Sequence, residues 1–258
     1  MKVSIKLLLP ILGVCELVPV LFLLSASAAL SQRQIIVDTP YDGAPSPNVY
    51  SSEPWSVRGM QSSRYQQVIS ASEFSTLGQQ AGRINDFLLI SDHEFGSGVQ
   101  AQADIEILFG ITTRAPDALS TVFAENFSVA PSVVHSRGVF RLTSAGGGSG
   151  ASFILEQPFF YDPSQGNLLI EIRTYSLVNE DPFRAIGVLE AWNVQGDSVS
   201  RVYAHDVNAT TGIADSMGIT MGFNIFPVPE PSTFALVGLA LGAWWWRHRR
   251  RQTKAAYL

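Results

Sequence analysis

Between residues 29 and 226 the recurring pattern is alternation of apolar and polar residues with a period of two. In Ala103–Ile111, the side chains of Ala103, Ile105, Ile107, Phe109 and Ile111 fall on one face, and Asp104 and Glu106 on the other. In Leu168–Thr174, Leu168, Ile170 and Ile172 oppose Glu171 and Arg173, and Val199–Val207 and Ile219–Ile225 alternate in the same way. Successive side chains of a strand lie on opposite faces, so this pattern predicts strands with one buried face. Shorter candidates are Phe87–Ser91, Val133–His135, Val139–Thr143, Ser152–Glu156 and Ala185–Trp192. Asp162-Pro163-Ser164-Gln165-Gly166-Asn167 supplies turn chemistry between two of them. No amphipathic helix of more than three turns and no fixed-period repeat is evident. Gly146–Gly150 (GGGSG) reads as a long β-loop. About ten short strands predict an all-β body, an antiparallel β-sandwich of jelly-roll-like type.

The two ends break this pattern. At the start, Lys2 and Lys6 precede an apolar run from Leu7 to Leu24, interrupted by Glu16 and Pro19. The small residues Ser25-Ala26-Ser27-Ala28-Ala29 follow and offer an A-x-A site after Ala28, which predicts a signal peptide over residues 1–28. At the other end, 13 uncharged residues from Phe234 to Trp246 predict a membrane-anchoring helix. That is short against the roughly 20 residues needed to span the hydrocarbon, but Ser232 and Thr233 can extend it, and Trp244, Trp245 and Trp246 suit the interface. Arg247, Arg249, Arg250 and Arg251 then form a positive-inside membrane stop, with residues 252–258 as a cytoplasmic tail. Both ends predict one topology, with the body at 29–226 outside the cell.

Composition narrows the function classes. A hydrophobic content of 46% is enough to build a core. The whole-chain charge of −5 hides an asymmetry: residues 29–226 hold ten arginines, no lysine and twenty acidic residues, about −10 in all. An acidic body without a basic patch argues against nucleic acid as a partner. The single cysteine, Cys15, lies in the leader, so the body has no internal disulfide and no thiol chemistry. Val14 before it and the apolar run beyond it do not fit a lipoprotein site.

The segment joining body to tail has its own character. Val228-Pro229-Glu230-Pro231-Ser232, then an apolar stretch, then a basic cluster, occur in that order on a chain that begins with an export signal. This arrangement, spanning residues 227–251, resembles the PEP-CTERM protein-sorting signal, a tail also called the ice-binding protein C-terminal domain. The resemblance implies recognition by exosortase, a membrane cysteine peptidase, with cleavage near the motif and release or transfer of the protein. It also implies a Gram-negative type of bacterium with an exopolysaccharide-rich envelope. Pro229 and Pro231 suit such a role, because each proline removes a backbone donor and biases its neighbour away from helix, and a peptidase needs an extended substrate. Arg64–Ser75 (RYQQVISASEFS) and Pro158–Ile172 (PFFYDPSQGNLLIEI) are similar to segments of PEP-CTERM proteins of uncharacterised function. That resemblance supports the sandwich and transfers no functional residue.

The search for chemistry in the body yields few candidates. His93 and His205 occur in no HExxH or His-x-His pattern, so no zinc site is predicted and the metal-ligand set is empty. Asp92 with Glu94, Glu180 with Asp181, and Asp197 are loop carboxylates that leave a structural calcium as a candidate, without an EF-hand pattern; no other cofactor is expected. Ser149 in GGGSG lacks the spacing of a nucleophile elbow, and no P-loop or G-x-G-x-x-G turn is present. Glu106 and Glu171 lie on polar strand faces, where a glycosidase pair could sit, although exposed surface carboxylates are the simpler account. No catalytic residue is assigned. Trp55, Tyr65, Tyr161, Trp192 and Tyr203 are candidate sugar platforms, with Trp55 and Trp192 foremost, against the default of core packing. Ice binding needs a flat array of repeated small residues, which the body lacks. Asn126-Phe127-Ser128 and Asn208-Ala209-Thr210 fit the glycosylation pattern only weakly.

These features predict an exported protein, anchored in the inner membrane before processing and then placed in the cell envelope or extracellular matrix, with a non-enzymatic body. Two alternatives stand beside it: a carbohydrate-binding module for exopolysaccharide, and a polysaccharide-acting hydrolase or lyase.

Overall fold

The computed structural model describes residues 32–37, 49–51, 54, 62–77, 81–90, 100–143, 151–179, 189–228, 238–239, 241–244 and 247. The predicted signal peptide, Trp55, His93, the loop carboxylates Asp92, Glu94, Glu180 and Asp181, the glycine run 146–150 and most of the tail lie outside them.

One sheet is built from Arg33–Val37 (β1), Gly82–Leu89 (β4), Ala151–Tyr161 (β7) and Met221–Pro227 (β13), in the order β1-β13-β4-β7. A second is built from Ser63–Ile69 (β3), Gln100–Thr112 (β5), Ser132–Thr143 (β6), Asn167–Asn179 (β8), Val199–Ala204 (β10) and Ile213–Asp215 (β11). Its order is β11-β10-β3-β8-β5-β6. A small third sheet pairs Val49–Ser51 (β2), Leu189–Asn193 (β9) and Met217–Ile219 (β12) in the order β12-β9-β2. Every pairing is antiparallel.

The alternation predicted in β5 and β8 is what closes the sandwich. Ala103, Ile105, Ile107, Phe109, Leu168, Ile170 and Ile172 are all fully buried, and they face Ile84, Phe87, Phe153, Phe223 and Ile225 of the four-stranded sheet in one core. Aromatic contacts cross the gap: Phe87 meets Phe109 at 5.4 Å, Phe109 meets Phe159 at 5.6 Å, and Phe140 stacks on Phe153 at 4.5 Å. Pairs of this kind add to the burial of apolar area. The 3-10 turn Ala71–Leu77 inserts Phe74, which lies 4.7 Å from Tyr161 and 5.7 Å from Phe223. The fold is therefore the all-β antiparallel sandwich that the sequence predicts.

Several boundaries differ from the predicted ones. Ile219–Ile225 is two strands in two sheets, β12 and β13, although Ile219, Met221, Phe223 and Ile225 keep one inward face. Val133–His135 and Val139–Thr143 are one strand, β6, whose pairing with β5 shifts register twice. The predicted turn is present: Asp162 accepts from Ser164 N at 2.9 Å, Pro163–Gln165 forms a 3-10 turn, and Gly166 adopts φ 139°. A Cβ there would meet the carbonyl oxygen of Thr112 at 2.7 Å, so only glycine fits.

The largest departure is on the outer face of the six-stranded sheet. The segment between β5 and β6 folds over it, and Leu119 and Phe123 join Val68, Leu169 and Val202 in a second apolar cluster. Strands β3 and β8 are thus covered on both faces. Gln66, Gln67 and Glu171 are fully buried, and Glu171 is not the exposed carboxylate expected from its place on a polar face. Gln67 points into the main core, where its amide donates to Ile219 O at 2.9 Å and accepts from Ile219 N at 2.8 Å. A side chain thereby satisfies the backbone of β12, as a buried polar group requires.

Candidate functional site

Around Glu171 the covered face of the six-stranded sheet carries a chain of polar contacts. Arg64 Nε and Arg173 Nε both donate to Glu171 Oε1, at 2.9 and 2.5 Å, and Gln66 Nε2 donates to Oε2 at 2.5 Å. Arg64 also donates to Ala209 O at 2.9 Å, and its guanidinium lies 4.5 Å from the Phe123 ring centroid. Asn126 holds Gln66 in turn, donating to its oxygen at 2.9 Å. Arg173 Nη1 and the Tyr175 hydroxyl donate to Glu106 Oε2 at 3.1 and 3.2 Å. Burial opposes the charge on Arg173, yet the Glu171 and Glu106 carboxylates hold its guanidinium above the ordinary arginine range.

A cleft of about 400 Å³ opens beside this cluster. Arg64, Glu171 and Arg173 line one side, and Phe127, Val129 and Pro131 line the other. Its size falls within the roughly 300–1,000 Å³ of small-molecule sites, with an apolar wall and a few fixed polar groups. The carboxylate pair expected for glycoside hydrolysis is present in the sense that Glu106 and Glu171 are neighbours. A single guanidinium, that of Arg173, bridges them, and donors occupy both Glu171 oxygens. That arrangement holds charge in place and orients two arginines. Of the pair, only Glu171 has both oxygens taken up; the two contacts to Glu106 both fall on Oε2.

The predicted sugar platforms take different places. Trp192, in β9, is 9% exposed, and Tyr65 and Tyr161 are buried in the main core. Stacking on a pyranose needs an open ring face, so Trp192, Tyr65 and Tyr161 offer no platform. Tyr203 is half-buried, with Arg201 4.5 Å from its ring centroid and His205 5.5 Å away edge-on. Trp55 lies outside the described residues. Asn126 is 1% exposed and hydrogen-bonded, which closes the first glycosylation pattern. Among the described residues no three His, Cys, Asp or Glu side chains are grouped to hold a metal ion. Sequence reasoning missed Arg64 and Gln66, because the strand that carries them shows no alternation. The one usable sign was the density of polar side chains in Arg64-Tyr65-Gln66-Gln67.

The second site is the tail. Strand β13 is central in its sheet, between β1 and β4, and ends at Pro227. Val228 N donates to Ala81 O at 2.8 Å, so the first residue of the Val228–Ser232 motif is still fastened to the body. Pro229, Glu230, Pro231, Ser232, Arg249, Arg250 and Arg251 lie outside the described residues. Residues 238–239, 241–244 and 247 are helical, and Leu239, Leu241 and Trp244 are exposed. Among the described residues no helix is long and apolar enough to cross a membrane.

An antiparallel sandwich running straight into a proline-flanked, apolar and then basic segment defines a class: an exported β protein with a C-terminal sorting tail. Residues 227–251 match the family model of the PEP-CTERM protein-sorting motif. The chain carries that motif, and with it the marks of export, of membrane anchoring before processing, and of processing by an exosortase. No curated protein and no solved structure matches the chain.

Proposed function

We propose that the protein is a non-enzymatic component of the cell surface or extracellular matrix of a Gram-negative-type bacterium. The signal at 1–28 exports it, the segment at 234–246 holds it in the inner membrane, and an exosortase acts at Val228–Ser232. The observation that carries this reading is the sorting motif beginning where β13 ends, with no intervening linker. A folded body joined this closely to the cleavage segment is delivered intact when the tail is removed. Deleting Val228–Ser232 tests it: export continues and C-terminal processing stops. Unchanged processing in the deletion strain overturns it.

A second reading has one observation in its favour. The cleft beside Arg64 and Arg173 combines planar donors with an apolar wall, as a site for an exopolysaccharide sugar does. Saturable binding of envelope polysaccharide, lost in Arg64→Ala, supports a carbohydrate-binding body; equal binding by Arg64→Ala overturns the assignment to this cleft. The bridging of Glu106 and Glu171 by Arg173 speaks against a polysaccharide hydrolase or lyase acting through that pair.

A further inference from the structure

The end of the four-stranded sheet from which the tail departs carries an unusual row of side chains. Phe226 in β13 lies opposite Arg83 in β4, and Arg83 lies opposite Phe160 in the edge strand β7. Their neighbours Ile225, Ile84 and Phe159 point into the core, so these three point outward. Phe160 is 58% exposed, Arg83 is exposed, and Phe226 is half-buried with the Arg83 guanidinium 5.9 Å from its ring centroid. Arg33, opposite Ile225 in β1, is exposed at the same end. Two described acidic groups flank this row, and each already accepts hydrogen bonds; Glu230, in the tail, lies outside the described residues. Asp162, beyond β7, caps Ser164, whose hydrogen bonds hold its carboxyl below the ordinary aspartate range, and Asp86, the outward residue next along β4, accepts from Asn224.

A lone exposed phenylalanine on a soluble domain needs no explanation. The place of this one does. Val228 is fixed to the body, and the uncharged segment begins at Phe234, six residues on. Six residues reach at most about 20 Å even when fully extended. While the tail is in the bilayer, the Pro227 end of the sheet is therefore held within about that distance of the hydrocarbon. Aromatic rings and arginines are the side chains that the headgroup region accepts, the rings at the apolar boundary and the cations at lipid phosphate.

We propose that the Phe226–Arg83–Phe160 row is a membrane-contact surface that seats this end of the sandwich on the lipid headgroups while the tail is anchored. The proposal rests on the sorting-tail reading and adds an orientation to it. Seating the body presents the segment after Val228 at the membrane surface, where a membrane peptidase works.

The test uses the full chain carrying Cys15→Ser, bound to vesicles of phosphatidylethanolamine and phosphatidylglycerol containing a spin-labelled quencher lipid. A bimane reporter is placed at Ser164→Cys, in the turn just beyond β7 at the Pro227 end, or at Ser152→Cys, at the opposite end of that strand; Ser152 pairs with Leu88 and Tyr161 with Gly82, so the two ends of β7 stand about 20 Å apart along the sheet. The expected result is quenching at position 164 several-fold above that at 152. Phe160→Ser with Arg83→Ser brings it down to the level at 152, and co-sedimentation with vesicles stays unchanged. Equal quenching at both ends of a co-sedimenting chain overturns the contact surface and leaves the tail reading standing. So does quenching that the double substitution leaves intact, or a crosslinked dimer that shields position 164 from lipid. A chain that does not co-sediment removes the tail reading and the contact surface with it.

Discussion

Replacing Glu171 with glutamine tests whether the polar cluster is a structural clamp. The substitution keeps the volume and removes the charge. Arg64 and Arg173, whose side chains are 15% and 29% exposed, would then share the site with no carboxylate between them. Removing one partner of a buried ion pair costs about 3–5 kcal/mol. Arg173 keeps Glu106 and Arg64 keeps Ala209 O, so the lower end, about 3 kcal/mol, is expected. For a body of this size that corresponds to a fall in Tm of roughly 6–12 °C. The assay is urea and thermal unfolding followed by circular dichroism, with Glu125→Gln as the control. Glu125 pairs with Arg114 at 3.5 Å with both side chains well exposed, and its loss is expected to cost no more than about 0.5 kcal/mol. Equal small losses in the two variants would refute the clamp and reopen Glu171 as a group free for other work.

Other consequences can be checked in the same preparation. Burial pushes the Asp197 carboxyl up to about 6, with Asp117 and Glu73 adding to the effect and the Val199 N–H opposing it. A folded value above the unfolded one means that stability rises as pH falls from about 6 towards 4, and that above 6 the ionised group destabilises the fold. Asp197 is only half-buried and solvent screens it, so the effect is about 1 kcal/mol; Asp197→Asn should recover it at pH 7 and flatten the dependence, whereas an unaltered pH profile contradicts this. Gly166→Ala forces a side chain into φ 139° against Thr112 O and should cost about 2 kcal/mol in urea unfolding; a neutral result would mean that the turn relaxes freely. Trp192→Ala should lower stability by about 3 kcal/mol, as for a core aromatic, and leave polysaccharide binding unchanged. Loss of binding by a stable Trp192→Ala variant would restore the tryptophan as a platform.

How much the sequence disclosed depended on how many faces of a strand were covered. Ala103–Ile111 was legible because one face meets the core while Asp104 and Glu106 on the other remain partly open to solvent. Strand β3 was not, because both of its faces are buried and its polar residues pair internally, Gln66 with Glu171 and Gln67 with Ile219. The period of two in Ile219–Ile225 was right and the single strand was wrong, since a chain can change sheets at Thr220 and still keep one set of side chains inward. The arginine cluster is assembled from β3, β5 and β8, and 107 residues separate Arg64 from Glu171, so no local spacing announces it. The tail was legible for the opposite reason. Its order of prolines, apolar run and arginines is local, and it works by being read as a sequence.

The most direct measurement is the intact mass of the exported protein from a producing strain with and without exosortase. A sorting tail predicts loss of the residues beyond the Val228–Ser232 region, including Arg247, Arg249, Arg250 and Arg251, only when the peptidase is present. A mature protein that keeps those arginines in the presence of exosortase would contradict it.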